Sequence, residues 1–182
     1  TEEELRKVSY LQTPQEVLAV FELPDSNASS AIEFPKDKLS LALDGVQNPG
    51  NLGTIIRIAD WFGIENIYCS QDTADAYNPK VVQATMGSIA RVNIIYTDIT
   101  KLLTSLPADY PVYGTLLDGE DIYAKELSKH GIIVMGNEGN GISQEVRKHV
   151  NNRLLIPNFA SAADKAESLN VAIATAITCS EF

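Results

Sequence analysis

Three glycine-rich or polar stretches hold the side chains that could do chemistry. In the first, Asn51 and Arg57 lie six residues apart in Asn48-Pro-Gly-Asn-Leu-Gly-Thr-Ile-Ile-Arg57, where a run of Gly and Asn passes into a helical pattern. With Leu52, Ile55, Ile56, Ala59 and Phe62 on one helical face, Arg57 falls on the other with Thr54 and Asp60 and is free to reach outward. An arginine beside a helix N-terminus suits an anionic substrate group, because backbone N–H groups there also favour phosphate. The plainer reading is a solvated Arg57 paired with Asp60 one turn on, with Asn51 as the helix cap. In the second stretch, Gly131-Ile-Ile-Val-Met-Gly-Asn-Glu-Gly-Asn-Gly-Ile-Ser143, Glu138 stands among glycines 136, 139 and 141, which permit close backbone approach to a ligand. Glu138 is either a loop charge in solvent or a site residue at the exit of a central strand. In the third, Ser168 and Asn170 are the polar exceptions at the head of an apolar helix. They read either as a capping serine and a hydrogen-bonded core asparagine or as groups facing a ligand pocket.

The elements that must hold these residues alternate regularly from Leu39 onward. Buried strands are predicted at Leu39–Leu43, Asn66–Cys69, Val92–Tyr96, Val112–Leu116, Ile132–Met135 and Arg153–Ile156. Helices are predicted at Leu52–Phe62, Pro79–Met86, Ile99–Leu106, Ser143–Val150 and Ser168–Cys179, the last buried on all sides. Such alternation implies an α/β domain with a mostly parallel sheet flanked by helices, whose ligands bind beyond the carboxyl ends of the strands. Residues 1–38 read as a lead-in segment with a loop at Pro24–Ser30, and residues 39–182 as the main domain.

Composition narrows the class. With 45% apolar residues, 182 residues bury the core of one domain. No apolar run reaches a membrane span and no secretory signal opens the chain, so a cytoplasmic protein is expected. The two cysteines, Cys69 and Cys179, form neither a C-x-x-C pair nor a cluster with histidine, so neither a disulfide framework nor a structural metal site is expected. The formal net charge of -10 opposes nucleic acid as a partner unless the charges are segregated to leave one face basic.

Together the three stretches resemble the signature motifs of the SpoU (TrmH-like) family of SPOUT RNA 2′-O-methyltransferases. Asn51, Gly53 and Arg57 match its N-x-G-x-x-x-R block, Gly136 to Gly141 its G-x-E-G-x-G block, and Ile156-Pro157 followed by Ser168-Leu169-Asn170 its third. The resemblance covers about residues 39 to 182, and Thr13–Val20 is similar to the segment leading into that domain. It implies a deep trefoil knot in the C-terminal part, which general rules on chain connections would exclude, and a homodimer whose active sites draw on both subunits. It also implies S-adenosyl-L-methionine held largely by backbone groups at Gly136, Ile156, Leu169, Thr115 and Leu116. The catalytic set carries over to Asn51, Arg57, Glu138, Ser168 and Asn170, with no metal. The substrate would be structured RNA, ribosomal before transfer RNA, and a separate N-terminal RNA-binding domain would lie outside this chain. Between Ile156 and Ser168 the family has a shorter loop containing a glycine, whereas this chain carries Asn158–Glu167 there.

Two other classes compete. A nicotinamide-binding Rossmann domain is suggested by a glycine-rich turn after the first strand with Asp72 some twenty residues on, but Gly45, Gly50 and Gly53 do not make G-x-G-x-x-G. The acidic charge favours a catalytically silent RNA- or protein-binding module, and the intact Arg57, Glu138 and Asn170 oppose it.

Overall fold

The computed structural model describes residues 1–9, 16–22, 37–160 and 166–182. The predicted loop at 24–30 and residues 161–165 of the long loop lie outside the described residues, as do residues 13–15 of the lead-in. The chain divides into two compact units, Thr1–Glu33 and Phe34–Phe182. The first contains helix α1 (Glu2–Val8), started by a capping box between Thr1 and Glu4.

In the second unit six strands form one sheet: β1 (Leu39–Asp44), β2 (Asn66–Cys69), β3 (Asn93–Tyr96), β4 (Val112–Asp121), β5 (Gly131–Gly136) and β6 (Asn152–Leu155). Their order is β3-β2-β1-β5-β4-β6, and every pairing is parallel. The near-continuous apolar runs of β1 and β5 have both faces covered, as a parallel sheet demands. Leu41, Leu43, Ile133 and Met135 pack on one side with helices α2 (Pro49–Trp61), α3 (Pro79–Thr85) and α6 (Val171–Ser180). Ala42, Ile132 and Val134 pack on the other with α4 (Ile99–Thr104) and α5 (Gln144–Arg147). No helix among the described residues is long and apolar enough to cross a membrane.

The strand order locates the site. After β1 the chain crosses by α2 to β2 on one side, whereas after β5 it crosses by α5 to β6 on the other. Asp44 and Gly136, the last residues of these neighbours, are in register. The crevice between their carboxyl ends is the switch point at which an open parallel sheet binds its ligands.

Several boundaries differ from the sequence prediction for identifiable reasons. α2 starts at Pro49, not Leu52, because Asn48 is the cap: its Oδ1 accepts from the N–H groups of Gly50 (2.9 Å) and Asn51 (3.1 Å), and proline follows at the first helical position. β4 runs past Leu116 to Asp121 through a register shift between Thr115 and Glu120, with Gly119 pressed against the backbone of Leu154. α5 is a single turn rather than a helix to Val150. α6 is not buried all round: Val171, Ala172, Thr175, Thr178 and Cys179 face the core, while Ile173 is exposed.

Ser40 is the one described residue whose buried side-chain oxygen lacks a hydrogen-bond partner, and it sits fully buried in the central strand. An orphaned buried hydroxyl costs about 1–3 kcal/mol. Ser40→Ala is therefore expected to raise unfolding stability by about 1 kcal/mol. A higher urea midpoint would show this, and a lower one would mean that the hydroxyl is satisfied.

Candidate active site

All three motif loops converge on the crevice. Glu138, two residues beyond β5, turns its carboxylate onto the loop after β1: Oε2 accepts the Gln47 N–H at 3.2 Å, and Oε1 accepts the Asn48 N–H at 3.1 Å and the Asn51 side-chain N–H at 3.0 Å. Asn51 Oδ1 in turn accepts the Asn170 side-chain N–H at 2.9 Å. Residues from the three motifs are thereby joined into one relay across separations of 87 and 119 positions. Asn51 is thus not the helix cap. It belongs to the first turn of α2, and its amide is committed at both ends.

The third motif is also arranged differently from its simplest reading. Asn170, not Ser168, caps α6, its Oδ1 accepting from the N–H groups of Ala172 and Ile173 at 2.9 and 3.3 Å. Both Ser168 and Asn170 are exposed rather than core residues. They line, with Asn51, Glu138 and Leu169, an open depression at the start of α2.

Burial is the strongest single influence on the Glu138 carboxyl and acts to raise its pKa. The Asn51 amide and the backbone N–H groups of Glu138 itself, Asn48 and Gln47 together outweigh it, and the carboxyl is held below its usual range. A carboxylate so engaged is a weak base.

Behind the relay lies a cavity of about 620 Å³, formed by the β4 bulge, the β5 turn and the segment after β6. Thr115, Leu116, Gly136, Ile156 and Leu169 all line it. The register shift in β4 makes room for it, since the residues between Thr115 and Glu120 leave the ladder there, Leu116 and Leu117 among the lining. The β5 turn is held by reciprocal backbone hydrogen bonds between Asn137 and Gly141, each 2.9 Å, and Asn137 Nδ2–H donates to the Gly45 carbonyl at 2.7 Å. Asp118 anchors the bulge from outside by accepting from Arg147 and Arg153. The cavity lies in the size range of small-ligand sites. Among the described residues no lysine, arginine or histidine lines it, whereas Glu138 and Glu167 do. Such a lining suits a cationic or neutral ligand.

Arg57 is the predicted site residue that the fold does not bring to the others. It is exposed, lines neither depression nor cavity, and makes no hydrogen bond or ion pair among the described residues. Nor does it pair with Asp60, whose carboxylate instead holds Arg91 (2.6 Å) and accepts from Ser88 (2.7 Å). Gln47, Asn48 and Asn137 were missed as parts of the site. Asn48-Pro49 carried a signal, since asparagine before proline marks a helix start. Among the described residues no cluster of His, Cys, Asp or Glu could hold a metal ion.

A parallel sheet with this switch point, its glycine turn and its Asn–Glu–Asn relay defines a class, and comparison with known proteins identifies it. The chain belongs to the SpoU rRNA Methylase family, which matches residues 38–180. It is 32% identical to the 23S rRNA (guanosine(2553)-2′-O)-methyltransferase RlmP of Bacillus subtilis, over 97% of this chain and 68% of that protein. It is 33% identical to the 23S rRNA (guanosine-2′-O-)-methyltransferase RlmB of Neisseria meningitidis, over 79% of this chain and 57% of that one. Among solved structures, a TrmH-family protein from Porphyromonas gingivalis superimposes with a TM-score of 0.85 at 44% identity, covering 97% of this chain and 69% of the other. An AdoMet-bound rRNA methyltransferase from Sinorhizobium meliloti gives 0.73 at 35%, covering 82% and 57%.

Proposed function

We propose that this chain transfers a methyl group from S-adenosyl-L-methionine to a ribose 2′-hydroxyl of ribosomal RNA, working as a cytoplasmic homodimer whose C-terminal part forms a trefoil knot. The observation that carries the reading is the cavity at the switch point, bordered by a relay that ties the three family motifs together. The relatives named as 23S rRNA 2′-O-methyltransferases support ribosomal over transfer RNA. S-adenosylmethionine, when bound, supplies the methyl group from its sulfonium. Gly136, Ile156, Leu169, Thr115 and Leu116 would hold it, since all five line the cavity. The knot would be tied by the return of the chain from β6 to α6, beside the sheet positions of β4 and β5.

The protein's own part is placement. Holding a nucleophile in attack geometry can remove about 7–11 kcal/mol of barrier. Glu138 fixes the loop 47–51, Asn51 and Asn170 fix one another, and Ser168 stands at the rim to fix the ribose. Arg57 acts as an anchor for the adjacent phosphate and for charge developing on O2′ rather than as a base, since a guanidinium is a donor with no acceptor to offer. Its position outside its own chain's relay supports delivery to the site of a second copy.

Calorimetric titration with S-adenosylmethionine and, in parallel, with NADH tests the reading. Saturable binding of the first alone is expected, and NADH binding alone would overturn it. Arg57→Ala is expected to keep that affinity within about twofold while methyl transfer to rRNA falls by roughly a hundredfold or more, the usual scale for losing one transition-state charge contact. Unchanged turnover in this variant would remove Arg57 from the mechanism.

A further inference from the structure

The loop after β1 carries the two backbone N–H groups that Glu138 accepts, and it begins at Gly45, which is buried and has φ +76°. Both polar backbone groups of that glycine are held by side chains from other strand ends. Its carbonyl accepts the Asn137 side-chain N–H from the β5 turn at 2.7 Å. Its N–H donates at 2.8 Å to Oγ of Ser70, the residue that follows β2.

Ser70 in turn donates to Asp72 Oδ1 at 2.6 Å. A hydroxyl has a single proton to give. With that proton committed to a carboxylate, Ser70 presents lone pairs to Gly45, so Asp72 sets the direction in which the Gly45 hydrogen bond runs. The fit is close, since a Cβ at position 45 would come within 3.0 Å of Asp72 Oδ2. The segment bearing the pair is itself anchored. The buried Thr73 hydroxyl donates to the Leu43 carbonyl at 3.3 Å, the Ala74 N–H donates to the Val46 carbonyl at 2.9 Å, and the Tyr96 hydroxyl of β3 donates to the Ala74 carbonyl.

Neither Ser70 nor Asp72 lines the depression or the cavity. Asp72, which would meet a ribose in a nicotinamide-binding domain, is committed instead to a neighbour that holds a buried backbone group. We propose that Ser70 and Asp72 are positioning residues for methyl transfer, acting through Gly45. They grip the start of the loop while Glu138 grips it at Gln47 and Asn48, and together the two keep Asn51 and its relay in place. The inference rests on the methyltransferase reading. A misplacement of about 1 Å at a reacting centre costs on the order of 10² in rate, so a smaller slip of this loop is already visible in turnover.

Asp72→Ala is expected to slow single-turnover methyl transfer to rRNA by about 3- to 30-fold and Ser70→Ala by about 10- to 100-fold, with S-adenosylmethionine affinity within about twofold of the parent. Asp72→Asn keeps an acceptor for the Ser70 proton and should recover most of the rate. In a Glu138→Ala background the loop is already released, so Asp72→Ala should there cost less than about twofold. Amide hydrogen exchange gives a readout independent of turnover. It should quicken by about 3- to 30-fold at Gly45, Gln47 and Asn48 in Asp72→Ala and keep its parental rate at Ile67 in β2. Parental turnover and exchange in Asp72→Ala would overturn the proposal. So would a rate loss that adds in full to that of Glu138→Ala, or an equal loss in Asp72→Asn. A parent chain that neither binds S-adenosylmethionine nor methylates rRNA would instead sink the underlying reading, while quickened exchange in Asp72→Ala would leave the grip on the loop standing.

Discussion

Glu138→Ala is expected to lower methyl transfer by about a hundredfold or more with only a small loss of folding stability. The carboxylate accepts three hydrogen bonds that fix the loop after β1 and the first turn of α2. Its donors are near the surface, so water can satisfy them after truncation, and the fold survives. What water cannot reproduce is position. Asn51 would be free to turn, Asn170 would lose the oriented amide it donates to, and a misplacement of about 1 Å at a reacting centre costs on the order of 10² in rate. Glu138→Gln should fall between parent and alanine, because an amide keeps one acceptor but turns an NH₂ toward a backbone donor. Single-turnover rates for the three proteins, with S-adenosylmethionine affinity measured alongside, would show this order. A glutamine variant at the parental rate would mean that the relay is scaffolding without consequence.

The same site fixes a pH dependence. With its folded pKa depressed below the ordinary 4.5, Glu138 contributes stability that is complete above that value and fades as pH falls through the lower folded pKa. Turnover against pH should therefore show no limb from this carboxyl near neutrality. An inflection there that vanishes in Glu138→Gln would make it the base.

Much of this arrangement could be read from the residues. The six strands emerge within a residue or two at most ends because short β-branched runs are set off by Gly, Pro and Asn, and the predicted catalytic set, apart from Arg57, meets at one crevice. The failures were of two physical kinds. Asn51 and Ser168 each read as a cap or as a site residue because local rules rank neighbouring candidates almost equally. Proline at the first position of α2, and the hydrogen bonds of Asn170, decide the matter. The extension of β4 and the exposed face of α6 were illegible because each depends on a neighbour far away in sequence: Leu154 against Gly119, and a core that reaches only one side of the last helix. Sheet order and the 87- and 119-residue hydrogen bonds are of that second kind. So is the solitude of Arg57, since its obvious local partner Asp60 is claimed by Arg91 from the segment after α3.

Gly136→Ala is expected to abolish measurable S-adenosylmethionine binding and to destabilise the chain by about 1–3 kcal/mol, the cost of overpacking a tight site. A methyl group on Gly136 would be driven into the carbonyl carbon of Gly141 and the amide nitrogen of Ile142, both backbone atoms that no rotamer change can move. The turn 137–141 would have to open, breaking the paired Asn137–Gly141 hydrogen bonds, and with it would go the placement of Glu138 and the cavity wall. Gly139 provides the control. It lies in the same turn, but a Cβ there would find only the Asn137 Oδ1 at 3.6 Å, an ordinary contact, and its φ is not positive. Gly139→Ala should thus leave the thermal midpoint within about 2 °C of the parent, whereas Gly136→Ala should lower it by about 3–10 °C. Equal effects from the two substitutions would mean that the turn is pliable and that glycine at 136 serves the ligand rather than the packing. Parental stability and affinity in Gly136→Ala would show that the close approach of β5 to Gly141 is not what shapes the cavity.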